Sequence, residues 1–244
     1  GVSVAKHGNR AVTSNCGSAD LLEGLGIKID LSPEEVKKCI EQAGIGFMFA
    51  PLFHPAMKHA MPTRRELKIR TVFNILGPLT NPANAPCHVL GVFHKDLTRV
   101  MAKVLGNLGG KHIFTVHNSY GIDELAPTGI NYITEYHEGT LKSYALTNED
   151  FNLPKCSVED ILAGNLEENL KIAVAILRNQ LKGPKYDTIL INAALALTSA
   201  NMSQDFQEGI EIARNSIEEG RAFQKLESLI EVSGGNKEKL HGIF

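Results

Sequence analysis

Apolar positions recur with two periods along the chain, and the switches between them predict the elements. From residue 96 to 108, Leu97, Val100, Met101, Val104, Leu105 and Leu108 follow the i, i+3, i+4, i+7 stripe of an amphipathic helix, stopped by Gly109-Gly110. Apolar runs at 89–93 and 111–116 flank it and read as strands, so the three form a βαβ unit with parallel strands and a right-handed crossover. Segments 131–136 and 140–146 follow as a hairpin turning at Glu138-Gly139, an antiparallel edge. At the start, a strand over 2–5 leads to a helix over 18–25 closed by Gly26. The next helix begins with Ser32 as N-cap, Pro33 at the first helical position and Glu35 as capping-box partner; Val36, Cys39 and Ile40 give its apolar face and Ala43-Gly44 ends it. Prolines at 51, 55, 62, 78 and 82 break 47–82 into short helices and turns without a sheet. The last third is helical: a capping-box pattern at Ser157-Val158-Glu159-Asp160, helices over 166–181 and 189–200, a long amphipathic helix over 204–230 and a polar tail after Gly234.

These elements predict an α/β fold with a mostly parallel central sheet flanked by helices and a small helical subdomain. The α/β part comprises 1–30 and 79–244, and the helical segment 31–78. The 244 residues suffice for a sizeable core. A net charge of −2, with 25 Lys and Arg spread along the chain, gives no footprint for a nucleic-acid partner. The longest apolar run, 188–200, is interrupted by Asn192 and Thr198 and is too short to span a bilayer, so no membrane role is expected. Cysteines at 16, 39, 87 and 156 form neither a CxxC pair nor a zinc-type spacing, which suits reduced thiols in a cytoplasm. The chain lacks an initiating Met and its most polar loop starts at once, so upstream sequence is expected to be missing.

Three segments carry candidate chemistry. Lys6-His7-Gly8-Asn9-Arg10, with Thr13, Ser14 and a helix opening at Gly17-Ser18, brings cations, an amide and hydroxyls to a helix start, a suitable cradle for a phosphate or pyrophosphate. A solvated loop is the competing reading. Gly121-Ile122-Asp123-Glu124 follows the carboxyl end of a parallel strand, where open α/β sheets place ligands. Adjacent carboxylates there suit Mg²⁺ beside substrate phosphates, or are ordinary surface acidity. Arg64-Arg65, with Arg70 nearby, offers a guanidinium fork for a substrate carboxylate, or faces solvent, or pairs with Glu66. His7 and His117 are candidate general bases only.

The segments 4–12, 17–20, 70–82 (Arg70-Thr71-Val72-Phe73-Asn74-Ile75-Leu76-Gly77-Pro78-Leu79-Thr80-Asn81-Pro82) and 121–124 resemble, in that order, the anthranilate phosphoribosyltransferases of tryptophan biosynthesis. The resemblance implies a glycosyltransferase moving the phosphoribosyl group of phosphoribosyl pyrophosphate (PRPP) to anthranilate. It implies PRPP contacts from Lys6, His7, Gly8, Asn9, Arg10, Ala11, Val12, Thr13, Ser14 and Ser18, with Asn9 also facing anthranilate. It aims Arg64 at the anthranilate carboxylate and gives Asp123 and Glu124 to Mg²⁺. The implied fold is that of the nucleoside phosphorylases, a small helical domain joined to a larger α/β domain, homodimeric at full length. Two departures stand out: Asn15-Cys16 where Lys-Ser is common, and Asn118 where Gly usually follows His117. The helices and glycine-rich pyrophosphate loop that precede Lys6 in full-length members are not in this sequence. Two alternatives therefore stay open: a pyrimidine nucleoside phosphorylase-like enzyme, and an inactive fragment of the transferase.

Overall fold

The computed structural model describes residues 1–10, 16–55 and 73–243. Ala11, Val12, Thr13, Ser14, Arg64, Arg65 and Arg70 lie outside the described residues. The chain divides into two compact units. One gathers 1–83, 163–178 and 220–244; the other gathers 84–162 and 179–219.

In the first unit, β1 (Val4–Gly8) leads to α1 (Ser18–Gly24) and α2 (Pro33–Ala43). The sequence signals of α2 appear as geometry: Glu35 N donates to Ser32 Oγ (3.2 Å), Ser32 N donates to Glu35 Oε2 (2.8 Å), and Gly44 closes the helix with φ 79°. Directly after it, β2 (Ile45–Phe49) pairs in parallel with β1, Val4 opposite Ile45 and Gly8 opposite Phe49. A sheet within the stretch expected to be purely helical is a correction. The run Ile45-Gly46-Phe47-Met48-Phe49 is apolar throughout and has no alternation to announce a strand. Short helices α3 (Ala50–Phe53) and α4 (Phe73–Leu79) follow. The core joins Leu25, Ile27, Ile29 and Leu31 after α1, Val36, Cys39 and Ala43 from α2, and Phe47 and Met48 from β2.

In the second unit, β3 (Cys87–Gly91), α5 (Asp96–Asn107) and β4 (His112–Asn118) form the expected βαβ unit, with β3 and β4 parallel. β5 (Asn131–His137) and β6 (Thr140–Leu146) are antiparallel, and the sheet runs β3-β4-β5-β6. The hairpin turns at Glu138 (φ 46°) and Gly139 (φ 91°), the left-handed pair that a two-residue connection requires. Among the described residues, two pairings are parallel and two antiparallel, divided between two sheets. The α/β class holds, and the expectation of one mostly parallel sheet is replaced by this mixed arrangement. Every residue of β4 is buried, and α5 covers it with Met101, Ala102 and Leu105.

The helical last third needs four adjustments. Ser157 and Asp160 do bond, but they open only a 3₁₀ turn at Glu159–Ile161. The cap of α6 (Leu166–Leu177) is Asn165, whose side chain accepts from Glu168 N (3.0 Å). After α7 (Pro184–Ser199), the single long helix expected over 204–230 is two, α8 (Phe206–Glu218) and α9 (Arg221–Val232). Gly220 (φ 73°) separates them at the boundary between units. The polar tail forms α10 (Lys237–His241), capped by Asn236, with Leu240 in the core of the first unit.

Candidate active site

Lys6, His7 and Gly8 are residues of β1 itself, so the loop that carries the rest starts three positions later than the sequence suggests. Pairing with β2 fixes Lys6 opposite Phe47 and His7 opposite Met48. Lys6 and Asn9 are exposed; His7 is half-buried. Gly8 takes a side chain only if its neighbours shift, because a Cβ there would lie 2.6 Å from Ser18 Oγ and 2.8 Å from Phe47 Cε2. The end of β1 therefore lies directly on the start of α1. There Asn9 O accepts from Ala19 N (3.2 Å) and from Ser18 Oγ (3.4 Å), while Gly17 N donates to Asp20 Oδ2 (3.0 Å). Two amides at this helix start thus have acceptors from within the chain, which the sequence reading of an open anion cradle did not anticipate.

Arg10 is similarly engaged. Its Nη1 donates to Glu23 Oε2 (2.8 Å) and Asp20 Oδ1 (3.0 Å), its Nη2 reaches Glu23 Oε1 (3.2 Å), and the guanidinium stands 5.6 Å from the Phe49 ring centroid. Its hydrogen bonds to Glu23 and then Asp20 raise its pKa further, and the Arg10 bond holds Glu23 below the usual carboxylate range. As described, Arg10 ties the segment to α1.

Two neighbours were given no role by the sequence reading. His54, just past α3, places Nε2 3.1 Å from Nε2 of His7, the rings edge to face. Burial, then the nearby His54 and Lys6, lowers the His7 pKa. Asn81 donates its amide to Ala5 O (3.0 Å) and accepts from Ala83 N (3.0 Å), so the Gly77–Pro82 motif bonds to β1. Only its place in a family motif marked Asn81, and nothing local marked His54.

In the second unit, the loop 119–130 leaves the carboxyl end of β4. Three asparagines pin it. Asn118 is fully buried: its amide donates to Thr128 O (2.8 Å) and Asn131 Oδ1 (2.9 Å), and its Oδ1 accepts from Tyr120 N (3.0 Å). Asn131 accepts from Ala126 N and donates to Ala126 O, both at 2.9 Å. Asn192 on α7 accepts from Leu125 N (3.0 Å) and donates to Leu125 O (2.8 Å). The departure Asn118 thus organises the loop. Gly91 completes the fit, since a Cβ there would fall 1.7 Å from Asp123 O. Asp123 and Glu124 are exposed on this fixed backbone. Their hard oxygen donors, adjacent in sequence, fit Mg²⁺, which keeps waters and takes few protein ligands. His117 is buried, its Nδ1 2.8 Å from Val92 O and its ring 6.4 Å from those of Tyr132 and His94. That bond fixes its orientation.

Comparison with known proteins fits these features. Residues 1–223 match the family model described as "Glycosyl transferase family, a/b domain". The anthranilate phosphoribosyltransferase of Moorella thermoacetica is 48% identical over 230 residues, 94% of this chain and 68% of that protein. That of Acetivibrio thermocellus is 48% identical over 231 residues, 95% of this chain and 67% of that one. The crystal structure of the Thermus thermophilus enzyme superposes with a TM-score of 0.90 at 43% identity, covering 96% of this chain and 69% of that one. A Saccharomyces cerevisiae structure in complex with PRPP and Mg gives 0.85 at 32% identity, covering 94% and 64%. This sequence therefore spans about two thirds of the length of its relatives, and along nearly all of its own length it belongs to the anthranilate phosphoribosyltransferase family.

Proposed function

We propose that this protein transfers the phosphoribosyl group of PRPP to anthranilate, giving N-(5-phosphoribosyl)anthranilate and pyrophosphate in tryptophan biosynthesis. The anthranilate amine forms a bond to C1 of the ribose as the C1–O bond to pyrophosphate breaks. C1 inverts, and the amine proton passes to solvent. An aromatic amine is neutral near pH 7, so the protein's task is positioning and charge stabilisation, without an obligatory base. Lys6 and Asn9, exposed at the end of β1, contact PRPP together with the backbone at Gly8 and the hydroxyls of Thr13, Ser14 and Ser18. Arg10 joins them by exchanging carboxylate partners for phosphate. Arg64 receives the anthranilate carboxylate. Asp123 and Glu124 would hold Mg²⁺, which when bound neutralises charge on the departing pyrophosphate. The reading includes a cytoplasmic homodimer formed through a helical domain to which 31–78 contributes.

The observation that carries this reading is the Asp123-Glu124 loop, held by three asparagines and by the bare Gly91 in a chain 48% identical to a named transferase. The test is loss of anthranilate fluorescence in a mixture of protein, Mg²⁺ and PRPP. Turnover is expected, abolished by EDTA and restored by Mg²⁺; no turnover from a folded sample refutes the reading. Asp123→Asn with Glu124→Gln should lower kcat/KM about a hundredfold or more, since metal charge stabilisation is worth several kcal/mol. Arg64→Ala should raise the KM for anthranilate roughly thirtyfold, about 2 kcal/mol for a charged hydrogen bond, and leave that for PRPP unchanged. An unchanged anthranilate KM would favour a nucleoside phosphorylase-like enzyme.

A further inference from the structure

A cluster with different chemistry lies at the other end of β4. His112 opens β4 and faces His137, the last residue of β5, across the antiparallel ladder. Glu135 precedes His137 by two positions and so shares its face of the sheet. His112 Nε2 lies 2.9 Å from Glu135 Oε1, the two imidazoles stack at 4.2 Å and 17°, and the potential ligand atoms of all three residues lie within 4.8 Å of one another. His112 is 5% exposed, Glu135 half-buried and His137 open to solvent. This is a buried base to the cluster with an entry path.

Behind His112, its Nδ1 lies 3.3 Å from Asn201 Oδ1. Asn201 holds a left-handed conformation (φ 56°) just after α7. When Nδ1–H donates to that oxygen, Nε2 points its lone pair at the Glu135 carboxylate. Two acceptors then face each other, and a cation between them satisfies both. A proton would serve for the His112–Glu135 pair alone; the stacked His137 adds a second imidazole that a proton does not need. An acceptor oxygen behind a ligating histidine also serves as an outer support that fixes its tautomer. Two imidazoles and one carboxylate form a transition-metal set with a position left for water, unlike the all-oxygen surroundings that suit Mg²⁺.

We propose that His112, Glu135 and His137 bind a divalent transition-metal ion of the Zn²⁺ type. The solvent-facing His137 closes onto the ion by a small side-chain movement while His112 and Glu135 part slightly, since ligands about 2.0–2.2 Å from a tetrahedral ion lie roughly 3.4 Å from one another. Five residue steps along β4, about 16 Å, separate His112 from His117 at the strand end that carries the Asp123 loop. The ion is thus a brace between β4, β5 and the end of α7, separate from the magnesium chemistry.

Equilibrium dialysis of the intact protein against Zn²⁺, with Co²⁺ absorption as a second probe, tests this. One ion per chain is expected at this site, with a d–d spectrum of nitrogen and oxygen ligands and a raised thermal midpoint. His137→Ala changes an exposed side chain, so it should keep the fold while weakening binding by at least about tenfold and removing the thermal shift. Glu135→Gln should behave alike. Asn201→Gly, which keeps the left-handed backbone, should weaken binding by about tenfold through loss of the outer support. Zn²⁺ that neither binds nor shifts the midpoint, or binds His137→Ala as tightly as the parent, overturns the proposal. The first result would leave a proton as the only occupant of the pair, and the second would place the ion elsewhere.

Discussion

His7 is the residue where electrostatics and packing meet. Its pKa lies below the ordinary 6.5 because burial, then His54 and Lys6, oppose its charge. In the unfolded chain it would accept a proton near 6.5, so folding favours the neutral ring. Its contribution to stability is whole above about 6.5 and is lost as pH falls through the lower folded value. His88, lowered chiefly by burial, acts in the same sense. Thermal midpoints should therefore drop as pH falls below about 6.5. His7→Asn and His88→Gln should each remove part of that slope, and an unchanged slope in both would refute the assignment. Gly8→Ala should destabilise by about 1–3 kcal/mol, the usual cost of overpacking, because Phe47 and Ser18 occupy the space of the new methyl; denaturant midpoints check it. At this scale the sequence conveyed residue types but not partners. Lys6, Asn9, Asp123 and Glu124 could be picked out by type, motif and position after a strand. Arg10's pairing with Glu23, thirteen residues on, and the meeting of His112 with His137 depend on helix phase and strand register, which no local pattern states.

Elements were legible where their signals are local. The Ser32-Pro33 start of α2, the apolar stripe of α5 and the left-handed turn at Glu138-Gly139 are each written within a few residues. β2 was hidden because uniform apolar character suits helix and strand alike, and the α8–α9 break because one glycine barely disturbs a helical pattern. Two glycines now separate two physical causes. Gly220 has φ 73° with nothing within 4 Å of a built Cβ, so Gly220→Val should cost about 1–2 kcal/mol from backbone conformation alone. Gly91 has no such torsion, and its constraint is steric. Gly91→Ala must push Asp123 aside, and we expect a raised Mg²⁺ requirement along with the stability loss. Titrating Mg²⁺ against turnover in that variant distinguishes a displaced loop from simple destabilisation, which would leave the requirement unchanged.

Across the whole molecule, each unit has a core of its own, but neither is continuous in sequence. Ile230, fully buried, joins the first unit's core through α9, far along the chain from β1 and β2. Ile230→Ala should cost about 2–5 kcal/mol. Hydrogen exchange should quicken in β1, β2 and α2, while the amides of β4 and β5 keep their protection. Equal acceleration in both sets would mean that the units unfold together. The overall class and the family were legible because they rest on many positions at once. The division into units was not, since the chain crosses between them at 83–84, 162–163, 178–179 and 219–220. Those crossings also bear on biosynthesis. On the ribosome, β1, β2 and α2 emerge well before α9 arrives to fill the first unit's interior, and β3–β6 emerge before the α7 and α8 of their own unit. Part of each unit's apolar surface therefore waits for partners made later, an interval in which nascent chains are exposed to self-association.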